Sequence, residues 1–283
     1  MITIIFAPPG FGKTVFMSYL LTLSCFDSDR FFNMRDEILS KNANGFNLSI
    51  PETFVSANYN LTMQLEGFSP VKNRVINPFK LGFSNPYVAT HFNLPYEVIG
   101  IDEAQMYLNS RLAFMYPAWQ SRWYEQHRHN NLEIYLATQR PGLIDPNIRD
   151  LSQFMEICNM DVRHNDFGEV ERIVWTVRFI SNSRLYDRYV SSGGLDKCCY
   201  EERKYVANFD VFSIYNSQSC KPKFYDGYLK YVENDICSSD FDLSYSSLPE
   251  ENAKAYLDYL SNYKDEVPDG FYMPVNKKEK KVG

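Results

Sequence analysis

Short runs of apolar, strand-forming residues alternate along the chain with longer segments whose apolar residues recur at helical spacing. Ile2–Phe6, Val98–Ile101 and Leu132–Ala137 have the length and composition expected of buried strands. Val15–Phe26, which follows the first run, places its apolar side chains at the spacing of one helical face. Strands that alternate with helices predict an α/β fold with a mainly parallel sheet flanked by helices.

Weaker patterns and turn residues mark the elements elsewhere. We expect a loop with a short second helix over Asp27–Gly45, and a helix from Pro117 to about Asn130, since proline favours the first helical position. Asp145 and Pro146 form a good cap and first-turn pair for a helix within Leu143–Leu151. The other predicted strands are Thr53–Tyr59, Val71–Ile76, Phe154–Met160 and an edge hairpin over Glu169–Phe179.

The patterns weaken beyond residue 190. A strand is predicted within Val206–Tyr215, and a helix that starts near Ser247 would carry an apolar stripe and pack back on the domain. The lysine-rich end is expected to be a solvated, disordered tail. We therefore predict a main domain over residues 1–190 and a C-terminal extension over residues 191–283.

A glycine-rich turn lies between the first strand and the first helix. Residues 7–14 read APPGFGKT, which fits the phosphate-binding pattern GxxxxGK[ST] except that Ala7 replaces the first glycine. In such a P-loop, backbone N–H groups cradle phosphate, the lysine neutralises its charge and the final hydroxyl binds Mg²⁺. A purely structural turn is the less favoured interpretation, because a strand and a helix flank the motif as phosphate binding requires. The predicted nucleotide-binding residues are Pro9, Gly10, Phe11, Gly12, Lys13, Thr14 and Val15.

Two consecutive carboxylates, Asp102 and Glu103, follow the apolar run Val98–Ile101. Ligands bind at the carboxyl ends of strands in open α/β sheets, so this is the position of a Walker B motif. Asp102 would hold Mg²⁺ through water, and Glu103 would orient and deprotonate the attacking water. The alternative is an ordinary acidic helix start that complements the helix dipole. The P-loop upstream favours the catalytic interpretation.

Gln139 follows the strand Leu132–Ala137 and is our candidate for a residue that senses the γ-phosphate. A polar side chain at the tip of the strand beside Walker B can touch that phosphate. The alternative is a glutamine that only caps its loop.

Composition limits the class of nucleic-acid contact. The 283 residues carry a net charge of −6, which argues against broad coating of nucleic acid, because such binding neutralises phosphates with Lys and Arg. Any DNA contact is therefore expected to be local. The sequence has no secretory signal and no run of roughly 18 apolar residues, so we expect a cytoplasmic protein that meets a membrane only through a partner.

Three segments together resemble the Zot family, which is named after zonula occludens toxin and includes the assembly ATPases of filamentous phages. The segments are APPGFGKT, IGIDEAQ at residues 99–105, and RWYEQHRHNNLEIYLATQRPGLIDPNIR from Arg122 to Arg149. The third makes the likeness much more specific than a P-loop alone. The resemblance covers residues 2–160 with gaps, and its ATPase core is similar in kind to the FtsK and HerA translocases.

The resemblance implies ATP and Mg²⁺ binding by the P-loop, hydrolysis by Asp102 and Glu103, and a sensor role for Gln139. It also makes Arg122, Arg128 and Arg149 candidates for an arginine finger offered to a neighbouring subunit, with Arg128 ranked first. An arginine on a helix surface is more often simply solvated. Phage-assembly members typically continue into a membrane-spanning helix, whereas this chain continues into an aromatic-rich region.

We therefore expect an ATP-hydrolysing motor that forms a homo-oligomeric ring and drives assembly or extrusion of a phage particle, with passage of single-stranded DNA. Phage DNA and phage assembly or membrane proteins are the expected partners, at the inner membrane of a bacterial host. A nucleotide-dependent switch that recruits a partner is the main alternative. A structural remnant that binds nothing is a third possibility.

Overall fold

The P-loop strand lies near the middle of a large mixed sheet. The computed structural model describes residues 1–43, 50–76, 78, 81, 95–111 and 118–216. The predicted helix near Ser247 and the lysine-rich tail lie outside the described residues, as does Pro117. The strands are β1 (Ile2–Phe6), β2 (Val55–Ala57), β3 (Asn60–Met63), β4 (Val71–Lys72), β5 (Arg74–Val75), β6 (Val98–Ile101), β7 (Glu133–Thr138), β8 (Ser152–His164), β9 (Val170–Ile180), β10 (Glu201–Ala207) and β11 (Tyr215–Asn216).

Among the described residues, eight strands form the main sheet in the order β10-β9-β8-β1-β7-β6-β2-β5. The six strands from β8 to β5 run parallel, while β9 pairs antiparallel with both β8 and β10. A small antiparallel sheet has the order β11-β3-β4. The predicted α/β class with a mainly parallel sheet is confirmed.

Helices cover both faces of the main sheet, in keeping with the buried runs of its parallel strands. They are α1 (Lys13–Cys25), α2 (Ser28–Ala43), α3 (Ala118–Glu125), α4 (Pro146–Asp150) and α5 (Ser183–Ser191). One core cluster contains buried residues of α1 and α2, and the other contains those of α3, α4 and α5. The sheet therefore separates two apolar layers.

Several predicted boundaries differ from the structure. The loop and short helix expected over Asp27–Gly45 are mostly one 16-residue helix, α2, whose Met34 and Ile38 are buried one turn apart. The strand expected over Thr53–Tyr59 is reduced to β2. The strand expected over Val71–Ile76 is divided between two sheets as β4 and β5.

The predictions for the later part of the chain have mixed outcomes. The Asp145 side chain caps α4 by accepting from the Asn147 N–H at 2.9 Å, as predicted. The helix expected to reach Asn130 ends at Glu125, and a separate 3₁₀ turn covers His127–Asn130. The strand expected over Phe154–Met160 is the longer β8.

The edge hairpin and the last predicted strand are wrong in detail. β9 is not an edge, because β10 pairs along it, and the strand expected within Val206–Tyr215 is replaced by β10, a 3₁₀ turn and β11. Residues 201–207 therefore belong to the main sheet. The proposed division at residue 190 stays a prediction. No helix in the described part of the chain is both long and apolar enough to span a membrane.

Gly100 in β6 allows α1 to approach the sheet closely. A Cβ atom built at this position would lie 2.6 Å from Leu21 Cδ1, which is closer than packed carbon atoms approach each other. Leu21 is completely buried and lies two turns after Thr14 on the same helix. The missing side chain thus sets the distance between the helix that begins at the P-loop and the strand that leads to Asp102.

We predict that Gly100→Ala lowers the free energy of unfolding by about 1–3 kcal/mol, because the added methyl group overpacks a filled site. Gly142→Ala is the matched control, since its added Cβ would meet nothing within 4 Å, and we expect a change within about 0.5 kcal/mol. Denaturant unfolding measures both. Equal stability of the two variants would show that α1 is not held this closely by packing.

Candidate active site

The P-loop joins β1 to α1 through two glycines in left-handed conformations. Gly10 has φ 83° and Gly12 has φ 73°, a region that residues with a Cβ rarely adopt. Gly12 is the N-cap residue of α1, and no side chain caps this helix end. The first N–H groups of a helix lack partners within the helix, so this end is suited to hold an anion such as phosphate.

Lys13 places its ammonium group over the same loop. The residue is 8% exposed, and Nζ donates to the carbonyl oxygens of Ala7 at 3.2 Å and Pro8 at 3.3 Å. Within the described part of the chain, Lys13 forms no ion pair. Its charge is therefore solvated mainly by neutral groups, which leaves it suited to bind phosphate oxygens.

Thr14 and Asp102 join the P-loop to the end of β6. The Thr14 hydroxyl donates to Asp102 Oδ2 at 2.9 Å, across 88 positions of the sequence. Burial raises the pKa of the Asp102 carboxyl, and the nearby Glu103 carboxyl adds to the shift, although the Thr14 hydrogen bond and Lys13 oppose it. Oxygen atoms from a hydroxyl and a partly desolvated carboxylate are the ligands that Mg²⁺ prefers, so these residues fit the predicted ion.

Glu103 adopts a left-handed backbone conformation with φ 50°, which is uncommon for a residue other than glycine. Its N–H donates to Asp102 Oδ1 at 3.0 Å, and its side-chain carboxylate accepts from Gln105 Nε2. Such conformations persist where surrounding bonds hold them, and they concentrate at active sites. The hydrogen bonds to Asp102 and from Gln105 therefore accompany this left-handed conformation of Glu103.

Gln139 lies at the same edge of the sheet as the P-loop. β7 separates β1 from β6, and Thr138 is in register with Phe6, the last residue of β1. Gln139 follows directly and is exposed. The structure thus brings the sensor candidate between the two motifs, while its role stays a prediction.

The arginine candidates lie elsewhere. Arg128 precedes the start of β7, and Arg149 precedes Ser152, which is in register with Ile2 at the start of β1. Arg128 also lies near the amino terminus, which precedes β1. Burial lowers the pKa of that amino group to about 6, and the charges of Arg30 and Arg128 add to the effect, while Glu133 opposes it.

Both arginines therefore lie at the amino-terminal ends of the parallel strands, whereas their own P-loop lies at the carboxyl ends. Arg122 lies in α3. A finger role for any of them stays a prediction, and for Arg128 or Arg149 it requires that a neighbour's P-loop face those amino-terminal ends.

The P-loop also contacts the long β8–β9 hairpin. A Cβ at Gly12 would lie 2.5 Å from Met160 Sδ. A register shift between Ile157 and Asn159 reverses the alternation of β8, so that both Ile157 and Met160 pack with the core on the α1 side. Bulges of this kind re-aim side chains beside active sites. The sequence predicted β8 but gave no signal for the bulge.

Asn58 is a site residue that sequence reasoning missed. Its Oδ1 accepts from the Asp102 N–H at 2.8 Å, and its Nδ2 donates to the Asp102 carbonyl at 3.0 Å. The only sequence signal is its position near the end of the predicted strand Thr53–Tyr59, where an asparagine is common. The structure adds it to the surroundings of Asp102.

A family model described as zonular occludens toxin (Zot) matches residues 38–177. The match therefore identifies a Zot-family domain within these residues, which make up just under half of the chain. The matched range begins after the P-loop and contains Asp102, Glu103 and Gln139. The β1–loop–α1 geometry and the mainly parallel sheet agree with the predicted fold class, a P-loop NTPase.

Two solved structures resemble this chain. The N-terminal domain of zonular occludens toxin from Neisseria meningitidis is 20% identical, with a TM-score of 0.43 over 76% of this chain and 98% of that chain. The genome packaging NTPase B204 from Sulfolobus turreted icosahedral virus 2, in complex with ATP-gammaS, is 10% identical, with a TM-score of 0.30 over 64% of this chain and 92% of that chain. No curated protein matches the sequence.

We predict that Asp102→Asn makes the ligand-free protein more stable at neutral pH. The raised pKa means that the folded state binds the Asp102 proton more tightly than the unfolded state does, so ionisation above these pKa values destabilises the fold. An asparagine can still accept from the Glu103 N–H and donate to Thr14. The advantage should shrink as the pH falls through the raised pKa of the folded state, and it should vanish below the ordinary pKa of 3.8, where both states hold the proton.

Thermal unfolding without nucleotide or Mg²⁺, at pH values from 3 to 8, measures this difference. The exposed Asp150→Asn variant is the control, with a change within about 0.5 kcal/mol expected at every pH. A less stable Asp102→Asn protein at neutral pH would contradict the burial argument.

Proposed function

We propose that this protein is a Mg²⁺-dependent ATPase that works as a motor in assembly or extrusion of a phage particle, with passage of single-stranded DNA. The observation that carries the ATPase assignment is the 2.9 Å hydrogen bond between Thr14 and Asp102, which joins the two nucleotide motifs. The Zot-family domain supports the assembly role. Motor action and DNA passage are expectations from that family.

The chain's own residues divide the work of hydrolysis. The N–H groups at the start of α1 and the Lys13 ammonium bind phosphate oxygens and offset their charge. Thr14 and Asp102 would hold Mg²⁺, which supplies a positive charge beside the transferring phosphoryl group. Glu103 accepts a proton from the attacking water as the new P–O bond forms and the bond to ADP breaks. Gln139 contacts the γ-phosphate and reports its loss.

The arginines place a condition on turnover. Arg128 and Arg149 lie at the sheet edge opposite their own P-loop, so an isolated subunit cannot use either at the phosphoryl group. We propose that a homo-oligomeric ring brings one of them to the neighbour's site. The same observation favours the alternative of a slow nucleotide switch if no ring forms. The protein acts in the cytoplasm and reaches the inner membrane through phage assembly or membrane proteins.

Steady-state turnover tests the motor against the switch. We expect wild-type hydrolysis to continue over many cycles and to accelerate with single-stranded DNA or an assembly partner. Lys13→Ala should abolish ATP binding, because phosphate loses its paired charge. Glu103→Gln should bind ATP normally and lose hydrolysis, because the amide cannot take the proton. Tight binding with negligible turnover in the wild type would favour the switch. Equal loss of binding in both variants would refute the assigned roles.

Mixing of subunits tests the ring. Replacing the arginine finger with alanine should lower turnover by about 10³–10⁵-fold while ATP affinity stays nearly unchanged. Arg122→Ala, Arg128→Ala and Arg149→Ala are the variants to compare. The inactive one should regain partial activity when mixed with Lys13→Ala subunits, since each supplies what its neighbour lacks. Normal turnover in all three variants, or activity per subunit that is constant on dilution, would mean that catalysis stays within one subunit.

A further inference from the structure

We propose that Asn58 and Tyr59, at the end of β2, are positioning residues that fix Asp102 and Thr14 relative to each other. The inference rests on the proposed ATPase function and extends it to two residues that neither nucleotide motif contains. Both are buried, Asn58 with 5% and Tyr59 with 2% of their surface exposed. One acts on Asp102 and the other on the first turn of α1.

The Asn58 side chain takes the place of a backbone rung between β2 and β6. The regular ladder pairs Ala57 with Gly100, and the Asn58 N–H still donates to the Gly100 carbonyl at 3.2 Å. Beyond this point β2 leaves the main sheet. The Asn58 amide then bonds both the N–H and the carbonyl of Asp102, at 2.8 Å and 3.0 Å.

These two bonds require both a donor and an acceptor on one short side chain. The Asp102 N–H can only donate and its carbonyl can only accept, so the orientation of the Asn58 amide is fixed by its partners. Nδ2 also donates to the Tyr107 hydroxyl at 3.3 Å. Asn58 thereby immobilises the backbone of Asp102 immediately before the left-handed turn at Glu103. Because the N–H and the carbonyl of Asp102 are both bonded, rotation of the Asp102 backbone cannot relax the left-handed turn at Glu103.

Tyr59 continues the arrangement toward the P-loop. The Ser18 hydroxyl donates its single proton to the Thr14 carbonyl at 2.7 Å. Tyr59, whose hydroxyl oxygen is 3.0 Å from Ser18 Oγ, must therefore be the donor in that contact. Ser18 is completely buried on α1. Through Ser18, Tyr59 thus stabilises the helical turn that begins with Thr14.

Together these hydrogen bonds link Thr14, Asp102, Asn58, Tyr59 and Ser18 into a closed ring of contacts. Thr14 bonds the Asp102 side chain, Asn58 bonds the Asp102 backbone, and Tyr59 returns through Ser18 to Thr14. Two adjacent residues that directly follow the short strand β2 therefore hold both sides of the predicted metal site. Residues that orient ligands in this way typically change metal affinity or activity by about 10–100-fold when removed.

The test compares Asn58→Ala, Tyr59→Phe and a control that loses a similar amide bond elsewhere in the sheet. Gln153→Ala is that control, because Gln153 Nε2 donates to Thr3 Oγ1 at 2.9 Å toward the opposite edge. For each protein we would measure ATP turnover, the Mg²⁺ concentration that half-saturates ATPγS binding, and amide exchange of residues 101–106 without ligand.

Asn58→Ala should lower turnover and raise the half-saturating Mg²⁺ concentration, each by about 10–100-fold, while ATPγS affinity in EDTA is unchanged. Amide exchange over residues 101–106 should accelerate. Tyr59→Phe, which preserves side-chain volume, should shift the Mg²⁺ requirement in the same direction by a smaller factor. Gln153→Ala should lower thermal stability only.

The proposal is overturned if Asn58→Ala and Tyr59→Phe change thermal stability alone, as the control does. If Asn58→Ala does not fold, the Mg²⁺ titration of Tyr59→Phe decides the matter. A wild-type protein without ATP turnover would refute the proposed function. The Mg²⁺ dependence of ATPγS binding and the amide exchange would still decide the positioning roles in that case.

Discussion

The hydrogen bond from Thr14 to Asp102 is the contact on which the organisation of the site depends. It joins the start of α1 to the end of β6, two elements that are not neighbours in the chain. The bond is possible because Gly100 lets α1 pack close to β6, although β7 separates β6 from β1 in the sheet.

The site is held against local energetic costs. Asp102 is desolvated, so its charged form is disfavoured until a cation arrives, and Glu103 occupies a strained backbone region. Asn58, Gln105 and Thr14 supply the bonds that maintain these conformations. Such preorganisation lowers the rearrangement needed when phosphate and metal bind, because polar groups already lie in their working positions.

Sequence reasoning succeeded where the signal was local. The P-loop, the paired carboxylates and the Asp145 cap each depend on residues a few positions apart, and their geometry follows from that spacing. It did not reach the features that pairing between distant segments decides. The bonding of Asn58, the long partnership of β8 with β9, and the location of Arg128 opposite the P-loop all depend on the order of strands in the sheet.

A crystal structure of the wild-type chain with ATPγS and Mn²⁺ would test the central claim most directly, since the anomalous signal of manganese locates the metal. The account predicts one anomalous peak, which places the manganese ion within bonding distance of the Thr14 hydroxyl and beside the Asp102 carboxylate. Phosphate oxygens should lie over the N–H groups of Gly12 and Lys13. A nucleotide and metal bound away from these residues would contradict it.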